Sequence, residues 1–284
     1  MRPRTGRSIL ALRRASSALG AALALWAGAA LAGPPERVVS INLCTDQLAM
    51  MLAGPGQLVS ITHVSHDPNM SVMLDAARAF PTNLGQAEEV FRLQPDLVLA
   101  GEYSSPYTVG LLRRLGVEVV QLPIVNSLDA IPGSLIEVGR LLGREPQAEA
   151  LVARFEADLA ALRTTGDATR RAALHYANNF TSGQNSLAHE ILTAAGFANI
   201  AAEAGLSGGG TLTMERLIML MPDLVISGQP YPGASRSEEV LRHPAMEALR
   251  DRHAAQALSD AEWVCGTPFV LNAIARLTEL HEEG

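Results

Sequence analysis

One fourteen-residue pattern occurs twice in the chain and restricts the fold more than any other feature. Glu88-Glu-Val-Phe-Arg-Leu-Gln-Pro-Asp-Leu-Val-Leu-Ala-Gly101 precedes Glu215-Arg-Leu-Ile-Met-Leu-Met-Pro-Asp-Leu-Val-Ile-Ser-Gly228 at a constant offset of 127. Glutamate, leucine, Pro-Asp, Leu-Val and the closing glycine recur in register. Each copy reads as a short helix, a Pro-Asp turn and a buried strand whose glycine lets the backbone turn sharply at the carboxyl edge of a sheet. The chain therefore contains two similar lobes.

The surrounding pattern makes both lobes α/β. Arg37-Val-Val-Ser-Ile41, Leu58-Val-Ser-Ile61, Leu97-Val-Leu-Ala100 and Val117-Glu-Val-Val120 read as strands. Helical apolar spacing separates them at Asp46 to Ala53, Met73 to Arg78, Glu88 to Leu93 and Val109 to Leu115. Strands alternating with helices at this spacing predict parallel βαβ units. Between Leu128 and Arg163 the pattern becomes Ala- and Leu-rich helix with no strand, punctuated by Pro132, Gly143 and Pro146. Its second part keeps Leu151, Val152, Phe155, Leu159 and Leu162 on one face, and about eighteen helical residues span ~27 Å, enough to bridge two domains. The alternation resumes at Ala173-Leu-His-Tyr176. The expected organisation is an N-terminal lobe over 33–126, a connecting helical segment over 127–165 and a C-terminal lobe over 166–284.

Residues 1–32 are expected to be a signal peptide. Arg2, Arg4, Arg7, Arg13 and Arg14 precede an apolar run from Ala18 to Ala32, which is about fifteen residues and shorter than the ~20 that a membrane-crossing helix needs. Ala30-Leu31-Ala32 suits cleavage after Ala32, no cysteine sits just after the apolar run for lipid attachment, and Arg13-Arg14 leaves both the general and the twin-arginine export routes open. The expected product is a soluble periplasmic monomer with no membrane insertion. The formal charge of −7 includes those five arginines, so the mature chain is near −12 and repels phosphate backbones; a nucleic-acid partner is disfavoured. Cys44 and Cys265 have no metal-ligand spacing; they either pair in an oxidising compartment or stand as free thiols near a cleft.

Ligands of open parallel sheets bind beyond the carboxyl ends of the strands, and two such lobes facing one another form a cleft there. The loops at those ends supply the candidate ligand-binding residues Asn42, Leu43, Cys44, His63, His66 and Tyr103 in the first lobe, and Asn178, Phe180, Tyr231 and Trp263 in the second. Aromatic residues make up 4% of the chain, yet Tyr103, Tyr107, Tyr176, Phe180, Tyr231 and Trp263 all fall in or beside these loops. That distribution suits a broad, partly apolar ligand held by stacking and a few polar groups. His63 and His66 read either as contacts to a metal complex or as surface loop histidines. No set of three or four converging ligands is evident for a free ion, which favours a metal already wrapped in an organic chelator. The chain has no nucleophile elbow, HExxH pair or Walker loop, and Gly208-Gly209-Gly210 reads as a flexible loop. Neither enzymatic activity nor a cofactor of its own is expected.

Arg37-Val-Val-Ser-Ile41, the two Glu…Pro-Asp-Leu-Val blocks, Leu115-Gly-Val-Glu-Val, the helical connector and Phe180-Thr-Ser-Gly183 together resemble the iron-siderophore and vitamin B12 family of periplasmic binding proteins. The resemblance covers essentially the whole chain after the leader. It implies two Rossmann-like lobes joined by a long backbone helix, little movement on binding, and service to an inner-membrane ABC permease. It also implies that Glu88 and Glu215, each seven residues before its proline, contact permease arginines. Tryptophans that face cobalamin in the B12-binding member are replaced here by Asn83-Leu-Gly-Gln86 and Gly208-Gly-Gly-Thr211. Haem, carried by other members through His or Tyr, would look to His63, His66 or Tyr231. Among metal chelates, ferric siderophore is the first expectation, with haem and cobalamin as alternatives and an exported enzyme or sensor on the same scaffold as the competing classes.

Overall fold

The computed structural model describes residues 33–164, 168, 170–227, 235–246, 254–256 and 260–283; residues 1–32, expected to be a signal peptide, lie outside them. Strands β1 (Val38–Ser40), β2 (Leu58–Thr62), β3 (Thr82–Asn83), β4 (Leu97–Gly101) and β5 (Glu118–Leu122) form a parallel sheet in the order β3-β2-β1-β4-β5. Helices α1 (Leu43–Leu52), α2 (Leu74–Ala77), α3 (Ala87–Arg92) and α4 (Pro106–Arg114) fill the crossovers. The second lobe carries β6 (Arg170–Leu174), β7 (Phe180–Ser182), β8 (Phe197–Asn199), β9 (Gly209–Thr211), β10 (Leu224–Ile226) and β11 (Ala254–Gln256). Four of these make a parallel sheet in the order β11-β10-β6-β8, while β7 and β9 pair antiparallel beside it. Its helices are α7 (Leu187–Ala194), α8 (Ile200–Glu203), α9 (Met214–Leu220) and a C-terminal helix, Val270–Glu283. In each sheet the first strand of the lobe is central and pairs with the strand of the repeat, β1 with β4 and β6 with β10.

The repeated Pro-Asp has a specific task. Asp96 accepts hydrogen bonds from the backbone N–H of Glu36 at 2.7 Å and Arg37 at 3.0 Å, and Asp223 accepts from Arg171 N at 2.7 Å. Each aspartate thereby pins the entry of the central strand to the entry of its neighbour. The residue two places before each aspartate is left-handed, Gln94 at φ 51° and Met221 at φ 47°, so both helices end in the same geometry. Gly101 serves a different purpose from a sharp turn. A Cβ there would lie 2.8 Å from the Asn42 side chain, so the glycine admits close packing between the ends of β1 and β4.

The connector is a helical pair rather than one helix. After a turn at Leu128–Ala130 come α5 (Ile131–Leu142) and α6 (Glu145–Leu162), the latter supplying the long bridging helix. Gly143 breaks them at φ 65°, and Arg144 N donates to Gly139 O at 2.7 Å to close the first helix. The two sheets share one core across this pair. Val38, Leu97 and Leu99 of the first sheet and Ala172, Leu174, Leu224 and Ile226 of the second join Leu135 and Val138 of α5, Phe155 and Leu159 of α6 and Leu277 of the C-terminal helix. The alternate strand residues point the other way: Val98 and Ala100 pack with Val90 of α3, and Ala173 and Val225 with Leu217 of α9. Thus α3 and α9 occupy equivalent outer faces of the two sheets. A continuous apolar core through the connector resists independent movement of the lobes.

Asp46 is buried within the first lobe. Its Oδ2 accepts from Thr62 N at 3.0 Å and from the hydroxyls of Thr62 and Ser65 at 2.7 Å, joining α1 to the end of β2. Burial raises its pKa above the ordinary 3.8, against the lowering pull of hydrogen bonds from Ser40, Ser65 and Thr62. A folded pKa above the unfolded one means that its titrating contribution to stability is full below pH 3.8 and is lost as pH rises through the folded value. The stability of Asp46→Asn relative to the natural protein is therefore expected to improve over that rise. Urea unfolding of both proteins from pH 3.5 to 7 checks it; a constant difference would contradict it.

Candidate functional site

Beyond the carboxyl ends of β1 and β5, the first lobe meets residues 264–267 of the second. Cys44, in the first turn of α1, is disulfide-bonded to Cys265, with 5.2 Å between their Cα atoms. Of the two readings of the cysteines, pairing is the one observed. Buried Thr267 donates its hydroxyl to Gln47 Oε1 at 3.1 Å, and a Cβ on Gly266 would stand 2.3 Å from Val125, so the seam is tightly closed at that point. On the same side of the connector, Leu128 N donates to Glu190 Oε2 of α7 at 2.6 Å.

A cavity of about 200 Å³ opens beside this seam. Its floor is the switch point between β1 and β4, where strand order reverses and such sheets hold their ligands. Asn42, Gly101 and Glu102 form the floor, Cys44, Tyr103 and Ile124 the first-lobe rim, and Val264 with Gly266 the wall from the second lobe. Tyr103 is 80% exposed, Ile124 48% and Val264 44%. Glu102 is exposed and, among the described residues lining the cavity, is the one carboxylate; no arginine or histidine is among them. Its Oε2 accepts from Ile124 N at 3.4 Å, which turns the carboxylate toward the rim.

The remaining expected ligand residues divide by what their loops do. Asn42 lines the cavity and also caps α1, accepting from Cys44 N at 3.0 Å and Thr45 N at 3.3 Å. Cys44 contributes disulfide sulfur, not a thiol. Leu43 is buried behind the floor and is absent from the lining. Trp263 is likewise buried, packed into the shared core, in a segment tied to the C-terminal helix by the Glu262–Arg276 ion pair. Both side chains are buried and neither is among the lining residues. His63 and His66 are exposed in a turn after β2 and stand outside the cavity, with a ring nitrogen of His66 3.0 Å from Ala77 O. Asn178 is exposed and left-handed at φ 56°. Phe180 is 46% exposed at the start of β7, tilted against Tyr176 at 6.5 Å. A Cβ on Gly209 would meet the Phe180 ring at 2.7 Å, so of the Gly208-Gly209-Gly210 segment expected as a flexible loop, Gly209 and Gly210 enter strand β9, glycine where an aromatic ring covers Gly209. Tyr231 lies outside the described residues. The contributions of Glu102, Ile124 and Val264 were not singled out by sequence pattern; an acid directly after the repeat strand was the available signal.

Among the described residues, no three histidine, cysteine, aspartate or glutamate side chains gather to hold a metal ion, and no helix is long and apolar enough to cross a membrane. Glu88 and Glu215 are exposed in the first turns of α3 and α9. Neighbouring Glu89 is occupied internally, accepting from Leu84 N at 2.8 Å. The Glu215 carboxyl is held below its ordinary range by its own backbone N–H, then by the Thr213 hydroxyl and by the charge of His243.

Comparison with known proteins agrees with this architecture. Residues 38–253 match the family described as periplasmic binding protein. A cobalamin-binding protein of Halobacterium salinarum is 30% identical over 202 residues, covering 68% of this chain and 54% of the relative, so the chain spans about half the length of that relative. A vitamin B12-binding protein of Pectobacterium carotovorum is 26% identical over 210 residues, covering 71% of this chain and 74% of the relative. Among solved structures, the periplasmic haem-binding protein RhuT from Roseiflexus sp. RS-1 in apo form superposes with a TM-score of 0.71 at 25% identity, covering 87% of this chain and 98% of that one. With two parallel sheets, one switch-point cavity at their seam and a helical connector, the chain belongs to the periplasmic binding protein family.

Proposed function

We propose that the chain is the periplasmic substrate-binding protein of an ABC importer, that it captures a metal chelate between its lobes, and that the chelate is a corrinoid of the cobalamin type. The observation that carries the chelate's identity is the charge of the cavity. Haem brings two propionates and ferric siderophores are commonly anionic, whereas Glu102 is the one side chain charged at neutral pH among the described residues lining the site. A corrinoid has an apolar macrocycle fringed by amides, which suits the exposed Tyr103, Ile124 and Val264 and a carboxylate that accepts N–H donors. The names of the two sequence relatives point the same way. This reverses the preference for ferric siderophore reached from sequence. Residues 127–165 serve as the connector, and Glu88 and Glu215 as the acidic contacts for paired permease subunits. We read the chain as a carrier without catalytic function.

Titration of the purified protein with cyanocobalamin, followed by calorimetry, is expected to show one saturable site at micromolar concentration or below, with haemin and a ferric tris-catecholate binding at least tenfold more weakly. Tighter haemin or ferric-catecholate binding would overturn the corrinoid assignment. Binding of a bare divalent cation with no chelate bound would overturn the chelate reading altogether.

A further inference from the structure

The reading of the chain as an importer's binding protein leaves the docking surface as two isolated acids. We infer that it is a duplicated acid-plus-apolar face, Glu88 with Phe91 on α3 and Glu215 with Ile218 on α9, each pair seating on one of two equivalent permease subunits that offer a cation beside an apolar hollow. The inference rests on that reading and adds the chemistry of the partner surface.

Phe91 is 42% exposed and Ile218 41% exposed, and the two are related by the same 127-residue offset that relates the glutamates. In each helix the apolar residue lies three positions after the acid, so acid and apolar group share one face. The backbone beneath repeats as well. Val90 and Leu217 are fully buried against their respective sheets, Gln94 and Met221 both close their helices left-handed, and Asp96 and Asp223 both pin the following strands. A single exposed apolar side chain needs no explanation. Two of nearly equal exposure at equivalent places in separate lobes, each beside an exposed acid, indicate a surface used twice.

The recurrence also says what the partner must look like. At the intervening positions the chemistry is not kept: Glu89 corresponds to Arg216, and Arg92 to Met219. What recurs is one negative charge and one large apolar group, so each receiving surface supplies one positive group and one dry pocket. An apolar contact beside an ion pair excludes water from it and strengthens it. Two copies of such a face in one molecule match a partner that itself carries two copies of the complement, which a two-fold pair of subunits does.

The test compares strains whose own copy of the gene encodes the natural protein, Phe91→Ser with Ile218→Ser, Glu88→Arg with Glu215→Arg, or nothing. Uptake of radiolabelled cyanocobalamin at limiting concentration is measured for each, alongside cyanocobalamin affinity and melting temperature of the purified proteins. The apolar double variant is expected to bind cyanocobalamin as the natural protein does yet take it up about tenfold or more slowly. Natural uptake by that variant, with uptake lost in the charge-reversed one, would overturn the apolar half and leave the docking reading standing. Natural uptake by both, with uptake lost in the deletion, would overturn the docking reading itself. A photo-crosslinking amino acid placed at position 91 or 218 in intact cells gives a readout that does not depend on the chelate or on uptake. Both positions are expected to capture the same polytopic permease polypeptide, and Ile136, 40% exposed on α5, is expected not to. Different polypeptides from the two positions, or none, would overturn the inference whatever ligand is carried.

Discussion

Replacing Cys44 and Cys265 together with serine is expected to lower the unfolding free energy by about 2–5 kcal/mol. The bridge closes a sequence separation of 221, near the long end of what a single disulfide can constrain, and it ties α1 of the first lobe to the segment leading into the C-terminal helix. Without it, the ends of the chain gain freedom when unfolded, while the folded seam keeps its Thr267–Gln47 hydrogen bond and the Val125–Gly266 packing. The reduced natural protein should therefore still fold and should resemble the double serine variant. Urea unfolding of the oxidised, reduced and serine forms checks this. Equal midpoints with and without reductant would mean that the shared core and the seam hold the lobes unaided. Loosening the seam should also weaken chelate binding, because Val264 and Gly266 wall the cavity beside the bridge.

The duplication was legible in the sequence because its physical causes are local. Pro95-Asp96 and Pro222-Asp223 end a helix and clamp a strand within a few residues, so both copies display the whole motif in one short stretch. The parallel strands were legible because apolar runs between turn signals are their direct consequence. What the loops do was harder to see, since a loop at the carboxyl end of a strand can face a guest or face the other lobe. Leu43 and Trp263 are buried while Tyr103 stands exposed on the cavity rim, and nothing in their neighbours' sequence distinguishes them. The pairing of Cys44 with Cys265 was undecidable for the same reason: it depends on how two lobes meet, which no local pattern encodes. Gly209 misled because glycine marks both a free loop and a strand pressed beneath an aromatic ring, and Phe180, which decides between them, is far away in sequence.

Glu102→Arg is expected to reverse the order in which the purified protein binds chelates. On the corrinoid proposal, a side-chain amide N–H of the neutral chelate donates a charge-assisted hydrogen bond to Glu102, a contact of about 1.5–3 kcal/mol when well formed. Its loss weakens cyanocobalamin binding by about tenfold or more. An anionic chelate meets the opposite change. Two unit charges about 4 Å apart at an effective dielectric near 20 interact by roughly 4 kcal/mol, and solvent at an open rim reduces this to about 1–2 kcal/mol. Exchanging a carboxylate for a guanidinium converts that repulsion to attraction, so haemin should bind at least tenfold more tightly than before, and high salt should erode the gain. Glu102→Gln separates the two effects: it removes the charge and keeps a carbonyl acceptor, so haemin should improve modestly while cyanocobalamin loses only part of its affinity. If all three proteins bound cyanocobalamin equally, the chelate would sit away from the β1/β4 switch point. Tyr107 and Phe180, exposed aromatic side chains outside the cavity, would then be the residues to test for recognition without the acid.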